Sequence, residues 1–327
     1  MNKEFWKNKN VLVTGGYGLV GSHLTEVLVN LGAYVVIPSR SRDSKSYFMS
    51  KGLDKKVVLV DCDLKDRKRV FDAVTKHEID VIFHIGAQAI VPTAFHNPIE
   101  TLETNIMGTA YLLEAARYYP KVKAMVVASS DKAYGKSKKL PYVETDRLEG
   151  DHPYDASKSC TDLICKMYFN TYGVPVTVSR FGNIYGPGDM NFNRIIPGAI
   201  KAGLFDDDLD IRSDGKFIRE YVYVKDVVKG YLVLAEQIEK SKGEAFNFGS
   251  DEKMNVIEVV DKVGAAMGGS IKYSILNDAK NEIPEQYLSH EKATRVLGWE
   301  PSYKLKGALK DTIEWYRDFY FANSINQ

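Results

Sequence analysis

Two short stretches hold the side chains of this chain that could do acid, base and redox chemistry together: Ser129-Ser130-Asp131-Lys132-Ala133-Tyr134-Gly135 and Tyr154-Asp155-Ala156-Ser157-Lys158. Tyr154 and Lys158 are four residues apart, so on a helix they share one face. An ammonium beside a phenol favours the phenolate and lowers its pKa from about 10 toward neutrality, which would let Tyr154 act as a base on a hydroxyl. That spacing alone is common by chance. It gains weight from Ser129 and Ser130, which follow the apolar run Met125-Val126-Val127 and therefore end a strand. Polar residues at the carboxyl end of a parallel strand sit where such sheets bind ligands. The bland alternative for Asp131 and Lys132 is a solvated ion pair, which contributes little.

Elements must position these groups, and the chain supplies them. Short β-branched runs at 11–13, 34–37, 56–60, 81–83, 124–127 and 176–178 alternate with helical patterns. Runs with no polar alternate face read as parallel strands covered on both sides, so residues 1–180 are expected to form a Rossmann-type, doubly wound α/β fold. Beyond Arg180 the pattern loosens into glycine- and proline-bearing loops and shorter elements, predicting a smaller C-terminal lobe, 181–327, that mainly holds substrate. The apolar run 245–248 predicts a return to the first lobe near 221–250.

Gly15, Gly18 and Gly21 follow the first run and precede the helical positions Leu24, Val27, Leu28 and Leu31. Glycine lets a backbone approach a pyrophosphate, and a helix N-terminus favours its charge, so this turn reads as a dinucleotide site. After the second run an NAD site usually offers an acid to the ribose 2′-hydroxyl, but Ser39-Arg40-Ser41-Arg42 stands here. The arginines favour the 2′-phosphate of NADP without excluding NAD, and ordinary solvated loop charges are the alternative. Asp63 could accept from an adenine amino group with Leu64 packed on the ring, or cap a helix beginning at Lys65.

The chain's 327 residues carry 44 basic and 43 acidic side chains, a formal net charge of +1, so no global field recruits nucleic acid or an anionic membrane. The polar N-terminus lacks a signal-peptide core and no apolar run reaches membrane-span length, making a cytoplasmic enzyme the expectation. Cys62, Cys160 and Cys165 show no disulfide or zinc spacing, and the six histidines show no metal-ligand spacing. Asp206-Asp207-Asp208 reads as a solvated loop, and no metal is expected.

Thr14-Gly15-Gly16-Tyr17-Gly18-Leu19-Val20-Gly21, His84-Ile85-Gly86-Ala87-Gln88, Asn105-Ile106-Met107-Gly108-Thr109, Tyr154 with Lys158, and 219–226 together resemble the extended short-chain dehydrogenase/reductase family over nearly the whole chain. Within it, Ser130-Asp131-Lys132, Gln88 and 191–197 resemble the nucleotide-sugar 4,6-dehydratases of the CDP-glucose and GDP-linked amino-sugar types. The resemblance implies that a sugar nucleotide is oxidised at C4, loses water across C5 and C6, and regains hydride at C6, giving a 4-keto-6-deoxy sugar for bacterial-type surface glycans. It implies Tyr154 as the C4 base, Ser130 as its hydrogen-bonding partner, Lys132 as the C5 base, Asp131 as the acid at the C6 hydroxyl, and Lys158 beside them. It also implies a cofactor site of Gly15, Tyr17, Gly18, Leu19, Val20, Ser39, Arg40, Arg42, Asp63, Leu64, Ala87, Gln88 and Asn105, with Tyr154 and Lys158. Gln88, Asn183, Asn193, Arg194 and Arg219 would face the sugar nucleotide, although helix capping or local pairing is an open alternative for the last four.

A homodimer or homotetramer built on a four-helix bundle is also implied, using stripes at Ile106, Ala110, Leu113 and Ala116 and at Leu163, Met167 and Phe169. Both stripes could equally face the core. Two departures from the pattern stand out: His84-Ile85-Gly86-Ala87 replaces the more usual leucine and alanine, a packing change, and Glu220 stands beside Arg219 where aspartate is commoner. A 4-epimerase using the same tyrosine is a second enzyme reading. A non-catalytic NADP-binding sensor or scaffold is the reading from another class. The nucleotide base and the substituent at C2 stay open.

Overall fold

Strands with no polar face must be covered twice, and in the computed structural model, which describes residues 2–136, 139–278 and 283–321, they are. β1 (Asn10–Thr14), β2 (Tyr34–Ser39), β3 (Val58–Asp61), β4 (Val81–His84), β5 (Ala124–Ala128) and β6 (Val176–Phe181) join β10 (Ala245–Phe248) in one seven-stranded sheet. Its order is β10-β6-β5-β4-β1-β2-β3, every pair parallel. Successive side chains enter opposite cores: Val11, Val13, Val35, Ile37 and Val126 pack on one face, Leu12, Val36, Ile82, Met125 and Val127 on the other. The helices Leu19–Asn30 and Val224–Glu236 close the first face. Arg67–Lys76, Gly108–Tyr118 and Pro153–Tyr172 close the second.

A third core belongs to the second lobe. β7 (Asn183–Tyr185), β11 (Lys253–Asn255) and β13 (Glu285–Gln286) all pair with β9 (Ile218–Tyr223), and β8 (Leu209–Ile211) pairs with β12 (Tyr273–Ile275). Helices Ile195–Phe205, Val256–Met267 and Leu305–Phe321 pack Ile200, Val263 and Ile313 among these strands. The chain crosses between lobes repeatedly. After β9 it returns through Val224–Glu236 and β10, leaves again, and sends Trp299 back against Phe248 at 5.0 Å between ring centroids, with the indole N–H donating to the Asp226 carbonyl at 3.1 Å. The last residues of the 181–327 span, 322–327, lie outside the described residues.

The strand order reverses direction between β1 and β4, and ligands of doubly wound sheets bind where it does. Here the two loops leaving the sheet touch: a Cβ on Gly15 would lie 2.8 Å from the Gly86 backbone. The catalytic stretch leaves the next strand, β5, at the same edge.

Candidate active site

Ser130 leaves β5 and caps a single 3-10 turn, Asp131–Tyr134, by accepting from the Lys132 amide at 3.2 Å while donating to Asp131 Oδ1 at 2.9 Å. Gly135 then turns at φ +66, where a Cβ would stand 2.1 Å from the Glu149 carbonyl oxygen, so only glycine lets segment 149–152 come this close. That segment leads into helix Pro153–Tyr172, and Ser159 Oγ donates to the Ala133 carbonyl at 2.8 Å, locking helix and turn together. Ser130, Asp131, Lys132, Tyr154 and Lys158 are thereby brought to one place.

The electrostatics differ from the reading of an ammonium acting on the phenol. Burial and the Asp131 carboxylate push the Tyr154 hydroxyl up to about 12, against smaller downward pulls from Arg194 and from its hydrogen bond with Ser130. Lys158 is buried and its amine drops to about 8 through desolvation. Its Nζ donates to the Ala128 carbonyl at 2.7 Å and lies 5.9 Å from the Tyr154 ring centroid. The polypeptide alone therefore holds the phenol protonated, chiefly through burial, while the Lys158 amine is bonded to the carbonyl ending β5.

Lys132 Nζ donates to Gln286 Oε1 at 2.7 Å. Asp155, buried beside Lys132, is raised to about 6 by desolvation, with Lys132 pulling it down. Beneath the turn runs a buried polar network. Arg180 pairs with Asp162 at 2.6 Å and donates to the Tyr134 hydroxyl at 2.6 Å, which donates to Asn247 Oδ1 at 2.7 Å. Ser129 Oγ donates to the same Asp162.

The glycine turn fits a pyrophosphate. Gly15 adopts φ +71, and helix Leu19–Asn30 starts after Gly18 with no capping side chain among the described residues, leaving its first amides as donors. A Cβ on Gly21 would lie 2.1 Å from the Gly15 carbonyl oxygen. Gly21→Ala is accordingly expected to force the turn apart, lowering dinucleotide affinity at least about tenfold, since displacing the donors loses over about 1.4 kcal/mol. Titration by isothermal calorimetry checks this, and unchanged affinity would refute it.

Around the turn, Thr14 Oγ1 accepts from the Ile85 and Gly86 amides at 3.0 and 2.9 Å and donates to His84 Nδ1 at 2.8 Å. His84 Nε2 then donates to Thr109 Oγ1 at 2.9 Å, and burial lowers the ring to about 3, so it is neutral. Asn105 is buried and fully engaged: it accepts from the Gln88 amide at 2.8 Å and donates to the Gln88 carbonyl at 3.1 Å and Ser157 Oγ at 2.9 Å. It clips the Ala87-Gln88 loop to the catalytic helix. The Gln88 side chain bonds the Ile90 backbone, and Leu64 packs against Gly86 and Gly108. Ser39 Oγ donates to the Ser41 carbonyl, Arg40 pairs with Glu100 at 3.1 Å, and Arg42 is exposed. Asp63 accepts from the Lys65 amide at 2.9 Å, whereas the following helix begins at Arg67 and is capped by Asp66. The capping role considered for Asp63 thus falls to Asp66, three residues on, because that is where the helix starts.

On the second lobe, Asn183 and Asn193 are exposed, and Arg194 pairs with Asp189 at 3.1 Å near enough to Tyr154 to influence it. Arg219 is buried, its guanidinium donating to the Ile218, Ile283 and Pro284 carbonyls, the second and third immediately ahead of β13. Glu220 is fully buried and accepts from the Ser250 and Leu288 amides at 2.8 and 3.0 Å, and desolvation raises its carboxyl well above the usual range.

A model of the family described as GDP-mannose 4,6 dehydratase matches residues 12–312. The chain belongs to the GDP-mannose 4,6-dehydratase family. This family member is 30% identical to a CDP-glucose 4,6-dehydratase of Salmonella typhimurium strain LT2, over 97% of this chain and 93% of that one. It is 32% identical to a UDP-N-acetyl-alpha-D-glucosaminuronate decarboxylase of Bacillus cytotoxicus, over 95% and 98%. Among solved structures, DesIV, a dTDP-glucose 4,6-dehydratase of Streptomyces venezuelae described with NAD and TYD bound, superposes with a TM-score of 0.85 at 26% identity, covering 94% of this chain and 97% of that one. The short-chain dehydrogenase/reductase resemblance of the sequence is thus met in fold and in family.

Sequence reasoning about this dehydratase-family chain missed Asp155, Asp162, Arg180, Asn247 and Gln286. Asp155 and Asp162 lie on the same helix as Tyr154 and Lys158, and polar residues recurring on a helix next to a catalytic pair were a usable signal. Gln286 is 154 residues from Lys132 and carried none.

Proposed function

We propose that the protein is a nucleotide-diphosphate-hexose 4,6-dehydratase. The observation that carries this reading is the placement of Ser130, Asp131 and Lys132 on one turn beside Tyr154 at the sheet's carboxyl edge. Elimination of water needs a base at C5 and an acid at C6 in addition to the C4 base, and a C4 epimerase needs neither. In this reading Tyr154 takes the C4 hydroxyl proton with Ser130 orienting that hydroxyl. The resulting 4-keto group acidifies C5, Lys132 removes the C5 proton as a neutral amine, and Asp131 in its acid form protonates the departing C6 hydroxyl.

The glycine turn, Asp63, Leu64, Ser39, Arg40 and Arg42 would hold a nicotinamide dinucleotide, with Lys158 near its reactive end. When bound, that group would supply the site's redox chemistry by accepting and returning hydride, and its positive charge would favour the phenolate of Tyr154. For its ribose end we propose NADP, with NAD the alternative. The Arg40–Glu100 pair is exposed, worth about 0–1 kcal/mol, and gives way readily to a phosphate; the solved relative from Streptomyces was described with NAD. Residues 1–180 together with the returning segment near 221–250 would carry this cofactor and the rest of 181–327 mainly the sugar nucleotide, with Asn183, Asn193 and Arg194 toward it. Arg219 would act through the 283–284 backbone it holds. A homodimer is proposed on Leu163 and Met167, which are exposed, whereas Leu113 and Ala116 of the other stripe are buried in the core.

The test is incubation with a panel of sugar nucleotides, CDP-glucose and GDP-N-acetylglucosamine first, in deuterated water. The expected product has lost one water and carries solvent deuterium at C5, and acid release of the cofactor identifies it by mass. A C4 epimer without deuterium, or loss of carbon dioxide from a uronate sugar, would overturn the assignment.

A further inference from the structure

β13 brings to the catalytic turn one side chain that the roles above leave unassigned. Gln286 is 0% exposed. It stands opposite Arg219 in the register of β13 on β9, and its Oε1 accepts from Lys132 Nζ at 2.7 Å. Its Nε2 is also buried, with no hydrogen-bond partner among the described residues. We propose that Gln286 is a positioning residue that holds the Lys132 amine in place in both its charged and its neutral form. The proposal rests on the reading of Lys132 as the C5 base.

The carboxamide suits this task because its two ends are complementary. An ammonium has three donors and no acceptor, so it docks on Oε1. A neutral amine gains a lone pair, to which Nε2 can donate once the amide turns over. A base that cycles between the two forms is therefore held throughout, and the Nε2 left over while Oε1 is engaged is the second half of that pair. A carboxylate at the same place would favour the ammonium and oppose the proton loss that regenerates the neutral base. An apolar side chain would serve neither form. Gln286 is itself fixed from behind, since Arg219 bonds the carbonyls of Ile283 and Pro284 just before it and Glu220 holds the Leu288 amide just after it.

Of the charges around this amine, Asp155 at the start of helix Pro153–Tyr172 bears on it directly, and Asp131, His152 and Asp151 bear on Asp155. Glu220 of β9 bears on Asp131 in turn. All are left unchanged by a substitution at 286, so a difference between variants reports the glutamine.

Gln286→Glu and Gln286→Met, made in the full chain, test the proposal. Trace acetylation with acetic anhydride from about pH 6 to about pH 12, read by peptide mass spectrometry, gives the pH midpoint of the Lys132 amine without any substrate. Gln286→Glu is expected to move that midpoint alkaline by about one unit, leaving about tenfold fewer neutral amines at neutral pH. With CDP-glucose in deuterated water, the same variant should lose about tenfold in C5 exchange at neutral pH and recover at alkaline pH, with C4 oxidation unchanged. Gln286→Met should lose C5 exchange at every pH and keep C4 oxidation. An unmoved midpoint in Gln286→Glu, or a parallel fall of both half-reactions in Gln286→Met, would overturn the proposal, the second being the mark of a merely structural residue. If the unsubstituted protein leaves CDP-glucose untouched, that choice of substrate fails, while the acetylation midpoint still decides the role of Gln286.

Discussion

Lys132→Ala is expected to fold, to oxidise its sugar nucleotide at C4, and to stop there, with release of dehydrated product falling about 10³-fold. A positioned general base contributes about 10²–10⁴ to the step it serves, and Lys132 is assigned to one step only. Tyr154 and Ser130 are left intact, so the C4 proton still has an acceptor. The cost to folding is small: Lys132 is only partly buried and its partner is a neutral carboxamide, so the loss is on the order of 1 kcal/mol. Single-turnover absorbance of the reduced nicotinamide, with product mass from the same samples, separates the two steps. Persistent reduced cofactor with no water loss is the expected trace, and normal product formation would remove Lys132 as the C5 base.

Arg180→Met is expected to cost about 3–5 kcal/mol, because it strands the Asp162 carboxylate in the interior. The pair is 5% and 4% exposed, and water cannot replace the guanidinium there. The Ser129 hydroxyl still reaches Asp162, which places the loss within that range and not beyond it. Tyr134 loses its donor as well, although its own hydroxyl still donates to Asn247. Tm should fall by on the order of 10 °C. The double variant Asp162→Leu with Arg180→Met should recover much of this, since a well-packed apolar pair often matches a buried ion pair. Thermal unfolding followed by circular dichroism and calorimetry measures both. A single variant melting within about 2 °C of the parent would refute the account.

What could be read without the fold was local. The seven-stranded sheet was legible because runs such as 81–83 and 124–127 have no polar face and must be buried twice, a property of consecutive residues. The glycine turn was legible for a similar reason, since Gly15 at φ +71 and Gly21 against the Gly15 carbonyl leave no room for a side chain. Tyr154 and Lys158 share a helix face by spacing alone, and Ser130, Asp131 and Lys132 follow one strand.

Contacts between distant segments were not legible. Lys132 meets Gln286 and Tyr134 meets Asn247 because the chain crosses repeatedly between lobes before β13 and β10 reach the edge where β5 ends. Periodicity says which face of an element is apolar, and it says nothing of which remote loop will cover a polar end. The protonation of Tyr154 was misread for the same reason: the spacing that brings Lys158 to its face could not show that the Ala128 carbonyl takes the ammonium, or that burial holds the phenol near 12. The residue types of the reactive turn came from the sequence by itself. Which of them are charged, paired and held still was decided by tertiary structure, because desolvation and hydrogen bonding depend on neighbours in space and not on neighbours in the chain.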